Sequence, residues 1–317
     1  MYKDKKIGVV VPAYNEELMI KKALLSIPEL VDIVIVVDDC SLDRTSELVE
    51  ECQKTYGRII FIQHDKNQGV GGTIVTGYKR AIEKGIDVVV VMAGDGQMDP
   101  HDLIRVIEPV ANGEVDYAKG NRLFRGESWE LIPHYRYIGN SFLSLLTKIA
   151  SGYWHIADSQ CGYTAVSLTA LKRINLDSIY KRYGMPNDML VKLNIHDFKV
   201  RDISVKPVYN QGEKSNIKLW RVIPTISWLL TKGFFRRIFE KYVIRDFHPL
   251  VFFYLFGILF FLVGSGLGIF TLIIDQLKLF EIGYGWMILG GMLFMSGIQL
   301  ILFAMWFDMD NNKDLKG

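Results

Sequence analysis

Twenty-five consecutive residues, Leu250 to Ile274, carry no charged side chain. At about 1.5 Å of rise per residue, a helix of that length crosses a hydrocarbon core of about 30 Å. A second apolar stretch, Trp286 to Phe307, has Gln299 as its one strongly polar side chain and tryptophans near both ends, where interfacial aromatics are expected. The connection Asp275 to Gly285 is too short to hold a domain, so the pair reads as a transmembrane hairpin with both flanks on one side. Before the first span, Lys232, Arg236, Arg237, Lys241 and Arg245 lie among Phe234, Phe235, Ile238, Phe239, Tyr242 and Val243. A basic amphipathic segment of this kind suits an anionic inner leaflet, and the positive-inside rule makes the flank cytoplasmic. Two buried core helices preceded by an ordinary solvated helix are the competing reading.

The chain is 50% hydrophobic yet 23% charged, and the two properties coexist because they are segregated. Four regions follow: a domain over 1–230, the basic interfacial segment 231–249, two membrane helices over 250–307 (250–274 and 286–307), and a cytoplasmic tail 308–317. The formal charge of +2 gives no case for nucleic acid as a partner. Cys40, Cys52 and Cys161 have no metal-ligand spacing, and dispersed cysteines in odd number fit a reducing compartment. The six histidines form no metal motif. The N-terminal apolar run ends at Pro12 without a small-residue cleavage site, so no signal peptide is expected. The whole reads as a multi-pass protein of the cytoplasmic membrane with its large domain in the cytoplasm. An anchor of two helices also admits self-association.

Upstream of the membrane segments the pattern alternates. Ile7 to Val11, Ile33 to Val37, Ile59 to Ile62 and Val88 to Met92 are short β-branched apolar runs, the signature of strands buried on both faces. Helical patterns near Glu16 to Leu25, Thr45 to Tyr56 and Thr73 to Lys84 separate them, and Asp99-Pro100 caps and opens a further helix, His101 to Val110. This succession implies an α/β domain around a mostly parallel, Rossmann-like sheet.

Ligands of open α/β sheets bind beyond the carboxyl ends of the strands. Those ends deliver Pro12-Ala13-Tyr14-Asn15-Glu16, Asp38-Asp39, Asp65-Lys66-Asn67 and Ala93-Gly94-Asp95-Gly96-Gln97. Any one Asp there can be a helix cap. Several converging carboxylates repel one another unless a cation or a ligand compensates them, and oxygen ligands suit Mg²⁺ or Mn²⁺ bridging to a diphosphate.

In order and spacing, VVPAYNEE, VVDDCSLDRT, NQGVGGTIVTGYKRA and MAGDGQMDP resemble the family 2 glycosyltransferases of GT-A fold. GNRL, DSQCGYTAVS and VYNQGEKSNIKLW, followed by a membrane hairpin, resemble the dolichol-phosphate mannose synthase and polyprenyl-phosphate glycosyltransferase branch. The resemblance covers roughly residues 5 to 220. It implies inverting transfer of a hexose from a UDP- or GDP-linked sugar to a polyprenyl phosphate lipid, undecaprenyl or dolichyl. Pro12, Tyr14 and Glu16 would line the nucleoside pocket, Asp38 and Asp39 would hold base or ribose, and Asp95 and Gln97 would contact metal and diphosphate. Ala93 replaces the first acidic residue of the family's Asp-X-Asp, which puts metal dependence in question.

For the lipid phosphate, Arg122 and Arg136 are the cationic candidates, with Arg125 beside them; an arginine's planar fork binds two phosphate oxygens. Asp158 and Asp188 fall in motif regions near sugar and acceptor, Asp188 as candidate base. Lys214 and Lys218 fall on a segment resembling a loop that closes over the donor diphosphate. Ser141 to Ile149 is either an isoprenoid guide or a core-facing helix. Two rivals stand beside this reading: transfer to a glycolipid or polysaccharide, which needs a base for a hydroxyl, and a degenerate membrane scaffold or sugar-nucleotide sensor, motivated by Ala93.

Overall fold

The computed structural model describes residues 1–123, 134–206, 219–277 and 283–317, without the side chains of 134–138 and 219–222. In chain order the elements are β1 (Ile7–Ala13), α1 (Ile20–Ser26), β2 (Ile33–Asp38), α2 (Thr45–Thr55), β3 (Ile59–Gln63), α3 (Val70–Glu83), β4 (Val88–Val91), α4 (Leu103–Ala111), β5 (Tyr117–Asn121), α5 (His134–Ser151), β6 (Thr164–Ser167), α6 (Leu168–Arg173), α7 (Met185–Ile195), β7 (Val200–Ser204), α8 (Leu219–Phe239), α9 (Leu250–Leu277) and α10 (Tyr284–Asn311). They divide into two units, one of Met1–Arg237 with Asp314–Gly317, the other of Ile238–Lys313.

The first unit is built on a seven-stranded sheet of order β3-β2-β1-β4-β6-β5-β7. β1 to β4 pair in parallel, as do β5 and β7, while β6 lies antiparallel between β4 and β5. Because β6 reverses against both neighbours, β4 and β5 point the same way, and the carboxyl ends of β1 to β5 and β7 all open at one edge. Alternation along the strands feeds two cores. Ile7, Val9 and Val11 of β1 with Val88 and Val90 of β4 pack under α1, α2 and α4, while Val10, Val89 and Val91 pack under α3, α6 and α7. Helix α3 crosses β1 so closely that a Cβ on Gly77 would lie 2.3 Å from Val10 Cγ1.

The four expected strands and the helices of the first half are present, with shifted ends. Helix α1 starts at Ile20 rather than near Glu16, because the residues before it are held by side chains of the next loop: Thr45 Oγ1 accepts from Glu16 N at 2.8 Å and Asp43 Oδ2 from Glu17 N at 3.1 Å. After Asp99 the chain first makes a 3₁₀ turn, Pro100–Asp102, capped by Asp99 accepting from His101 N at 2.9 Å. α4 follows.

A third apolar cluster joins α5, α7 and α8 through Leu143, Ala150, Val191, Ile195, Ile226 and Leu230, so Ser141 to Ile149 contributes a core-facing side. Two of the five charges read as facing a membrane turn inward instead. Arg237 is fully buried, donating to the carbonyls of Ala150 (2.9 Å) and Ile149 (3.1 Å) near the end of α5. Lys241 is buried in the second unit and donates to Asn312 Oδ1 at 2.8 Å.

In the second unit, α9 and α10 are each long and apolar enough to cross a membrane. Buried small residues recur every seventh position, Gly257, Gly264 and Thr271 facing Gly290, Gly297 and Ala304, the period of a left-handed pair. Cβ atoms on Gly264 or Gly297 would sit 2.4 Å from the backbone nitrogens of Phe294 or Phe261. This is the close backbone approach that small residues permit in lipid. A polar cluster ties the π-helical turn Glu240–Arg245 to α10: Tyr242 Oη donates to buried Asp308 at 2.7 Å, and Asn312 Nδ2 lies 2.9 Å from Tyr242 Oη.

Candidate active site

The site is assembled where the strands end. Asp39 N donates to Ala13 O at 2.9 Å and Gly94 N to Pro12 O at 3.3 Å, so the turns after β1, β2 and β4 adjoin. Asp38 is fully buried; its carboxylate accepts from Ser41 N (3.2 Å), Ser46 Oγ (2.8 Å), Gln63 Nε2 (3.3 Å) and the Ser41 hydroxyl. Asp39 accepts from Gln68 N and Gly69 N, both at 2.8 Å, and pairs at 2.8 Å with Nδ1 of buried His64. His64 Nε2 lies 2.9 Å from Thr76 Oγ1 on α3. Both aspartates therefore staple the loops that follow β2 and β3, and Tyr14, after β1, is 44% exposed. His64 carries no motif in the sequence; its position immediately after β3 is the one signal that it borders the site.

The NQGVGG turn leads into α3. Gly69 has φ of +84°, and a Cβ there would lie 2.5 Å from Lys181 O; on Gly71 it would lie 2.3 Å from Tyr180 O. Gly71 N and Gly72 N donate to Lys181 O at 2.9 and 3.2 Å. Two of the first amides of α3 are thus satisfied by the 180–181 loop.

Asp95 follows β4, one Oδ1 accepting from Gln97 N at 3.0 Å. Burial pushes its pKa up, and the amides of Gln97 and its own residue only partly offset that. Such a carboxylate fits a cation that restores the charge compensation lost with water. Among the described residues no three His, Cys, Asp or Glu side chains cluster as a metal site.

Arg122 follows β5. Its Nε and Nη2 donate to Oδ2 (2.8 Å) and Oδ1 (3.2 Å) of fully buried Asp158, and its backbone N reaches Oδ2 at 3.2 Å. Burial opposes the ionisation of Asp158, but the Arg122 charge and hydrogen bonds, with Lys119 nearby, hold it below the usual carboxylate range. Lys119, also fully buried, donates to the Cys161 carbonyl, and desolvation lowers its pKa. Asp202 on β7 accepts at Oδ2 from Ala157 N (2.7 Å) and Asn121 Nδ2 (2.9 Å), while its Oδ1 has no partner; burial raises its pKa to about 6. Sequence reasoning missed Lys119 and Asp202, since single charges inside short strands give no motif.

Asp188, in the first turn of α7, pairs with Lys192 Nζ at 2.6 Å and accepts from Tyr180 N at 2.9 Å. Its neighbour Asn187 meets Gln160 of the DSQ motif at 3.2 Å. Arg136 lies on α5, its side chain outside the described residues, as are Arg125, Lys214 and Lys218. The structure thus gathers the ends of β1, β2 and β4 on one side of β6 and the Arg122 cluster on the other.

A half-wound parallel sheet of order β3-β2-β1-β4, interrupted by an antiparallel β6 and carrying an acidic turn after β4, defines a GT-A-type sugar transferase. The chain belongs to glycosyl transferase family 2, whose model matches residues 8–174. Similar relatives include the UDP-N-acetylglucosamine–dolichyl-phosphate N-acetylglucosaminyltransferase of Methanococcus voltae, 33% identical over 221 residues, covering 66% of this chain and 88% of that protein. The undecaprenyl-phosphate mannosyltransferase of Micrococcus luteus is 30% identical over 189 residues, covering 58% and 76%. Glucosyl-3-phosphoglycerate synthase from Mycobacterium tuberculosis, solved with Mn²⁺, UDP and glucosyl-3-phosphoglycerate, superposes with a TM-score of 0.55 at 17% identity, over 74% of this chain and 80% of that one. The last likeness is one of fold.

Proposed function

We propose that the protein transfers a hexose, with inversion, from a nucleotide-diphosphate sugar to the phosphate of a polyprenyl lipid at the cytoplasmic face of a membrane. One observation carries this reading: Asp95 and Arg122 leave the parallel ends of β4 and β5 with β6 between them. Two inter-strand spacings separate them at sheet level, about 10 Å, so a donor diphosphate and an acceptor phosphate can occupy one edge.

Pro12, Tyr14 and Glu16 line the nucleoside side, with Asp38 and Asp39 shaping its loops. Asp95 and Gln97 hold a divalent cation, Mg²⁺ or Mn²⁺, which supplies charge neutralisation to the leaving diphosphate. Arg122, with Arg136, binds the acceptor phosphate. A phosphate monoester is largely ionised near neutrality, its second pKa being about 6, so positioning and charge neutralisation replace a strong base. The engagement of Asp188 with Lys192 agrees with that: it orders the 180–181 loop rather than accepting the proton. Lys214 and Lys218 stabilise the leaving group. The similar relatives are named for transfer of N-acetylglucosamine, mannose or glucose, and the donor is one of this class of nucleotide sugars. The exposed Trp228, Phe235 and Phe239 beside Lys232 and Arg236 fit a bilayer surface.

The test is nucleotide diphosphate release by purified protein with UDP-N-acetylglucosamine, UDP-glucose and GDP-mannose in turn, with and without undecaprenyl or dolichyl phosphate, and with EDTA. Release that requires one donor, the lipid phosphate and the cation is expected. Donor binding without lipid-dependent release from any of them turns the reading toward a sugar-nucleotide sensor.

A further inference from the structure

Arg122 is an unusual arginine for a site that faces a ligand. It is partly exposed, its side chain at 22%, whereas its counter-ion Asp158 is fully buried. An ionised carboxylate is costly to bury without compensation, and Asp158 is compensated from several directions: the Arg122 fork, the amides of Arg122 and Gln160, and the nearby buried Lys119. The fork engages Nε and Nη2 together, which fixes the plane of the guanidinium as well as its position. Asp158 lies six residues ahead of β6, the antiparallel strand between the two halves of the site, and the same turn carries Gln160, which contacts Asn187 at the start of α7.

We propose that Asp158 is the positioning residue of the acceptor half-site: it aims the Arg122 guanidinium at the lipid phosphate and itself touches neither substrate. The inference rests on the acceptor role given to Arg122 above. The nearby charge of Lys119 keeps the carboxylate ionised, and the amides of Arg122 and Gln160 keep it oriented when Arg122 turns part of its hydrogen bonding to phosphate. An arginine without such a brace spreads over rotamers whose ordering has to be supplied at each binding event.

The experiment is a double-mutant cycle on the full-length protein in lipid nanodiscs, with KM for donor and lipid phosphate and kcat measured separately for Arg122→Ala, Asp158→Asn and the double variant. Asp158→Asn is expected to raise the acceptor KM about tenfold or more while donor KM holds within about twofold, and to add less than about twofold when Arg122 is already alanine. Millimolar guanidinium is expected to restore activity to Arg122→Ala and not to the double variant, because the carboxylate is what seats it. Asp158→Glu, which keeps the buried charge but moves it by one methylene, is expected to fold and still raise acceptor KM, so a misfolded Asn variant leaves the test intact. Equal losses from Asp158→Asn in both backgrounds, or a rise in donor KM instead, overturn the positioning role. An unchanged acceptor KM in Arg122→Ala itself overturns the acceptor assignment on which the role rests.

Discussion

Asp202 keeps a carboxylate in a buried strand with one oxygen unpartnered, and burial lifts its pKa from the ordinary 3.8 to about 6. The folded protein therefore holds this proton more tightly than the unfolded chain. Its contribution to stability is complete below pH 3.8 and disappears as the pH rises through about 6. Asp202→Asn, which keeps an acceptor for Ala157 N and Asn121 Nδ2, is expected to match the parent below pH 3.8, where the parent's carboxyl is protonated folded and unfolded alike. By pH 8 it should exceed the parent by about 3 kcal/mol, read as detergent-phase thermal unfolding across pH; a constant difference contradicts the shift. Asp95 works in the same direction with a different consequence. Since burial raises its pKa, protons compete with a cation for this carboxylate more than at an ordinary Asp, and Mn²⁺ titrated in the presence of donor should bind more weakly as the pH falls. Asp95→Asn should remove that dependence and lower turnover about 100-fold or more.

Among the strands, those with an unbroken apolar run were legible in the sequence and the others were not. β1, β2, β3 and β4 read as apolar runs because helices cover both sides of them. β5 (Tyr117–Asn121) and β7 (Val200–Ser204) escaped notice because Lys119 and Asp202 interrupt their pattern, and β6 because Thr164 and Ser167 leave it only two apolar residues. Asp95, Arg122 and Asp158 could be read from motifs, while the pairing of Arg122 with Asp158 could not, because no sequence spacing brings the two together. Arg236 and Arg237 look alike as letters, yet neighbouring helical positions lie about 100° apart, and only Arg236 stays exposed while Arg237 caps α5. In the hairpin, spacing decides which glycines matter. Gly264→Leu would drive a side chain into the backbone of α10, whereas Gly266 has nothing within 4 Å of its Cβ position. The first change is expected to destabilise the hairpin by about 1–3 kcal/mol or more and the second to be near neutral, as measured by thermal unfolding in detergent. Equal effects would contradict the packing.

At the scale of the whole molecule, the chain leaves the sheet-bearing unit after Arg237 and returns to it at Asp314. Lys316 pairs with Val200 at the β7 edge, and Arg201 Nε donates to Gly317 O at 2.9 Å. With two apolar helices in between, this return fits a hairpin whose ends share one side. Single cysteines placed at Asp246 and Asp314 in a cysteine-free background should label from the same side of sealed vesicles, and one at Gly283 from the other; labelling of Asp246 and Asp314 from opposite sides contradicts the arrangement.

Polyprenyl-phosphate transfer, as proposed, requires the lipid phosphate itself to be the acceptor. The direct measurement is mass spectrometry of the lipid product when purified protein, cation and the active donor are given undecaprenyl phosphate or dolichyl phosphate, alongside the corresponding dephosphorylated polyprenols. One hexose unit added to the phosphorylated lipid, and none to the free alcohol, is the expected result. Sugar found on the alcohol, on a glycolipid or on an oligosaccharide, with the lipid phosphate left untouched, would contradict it.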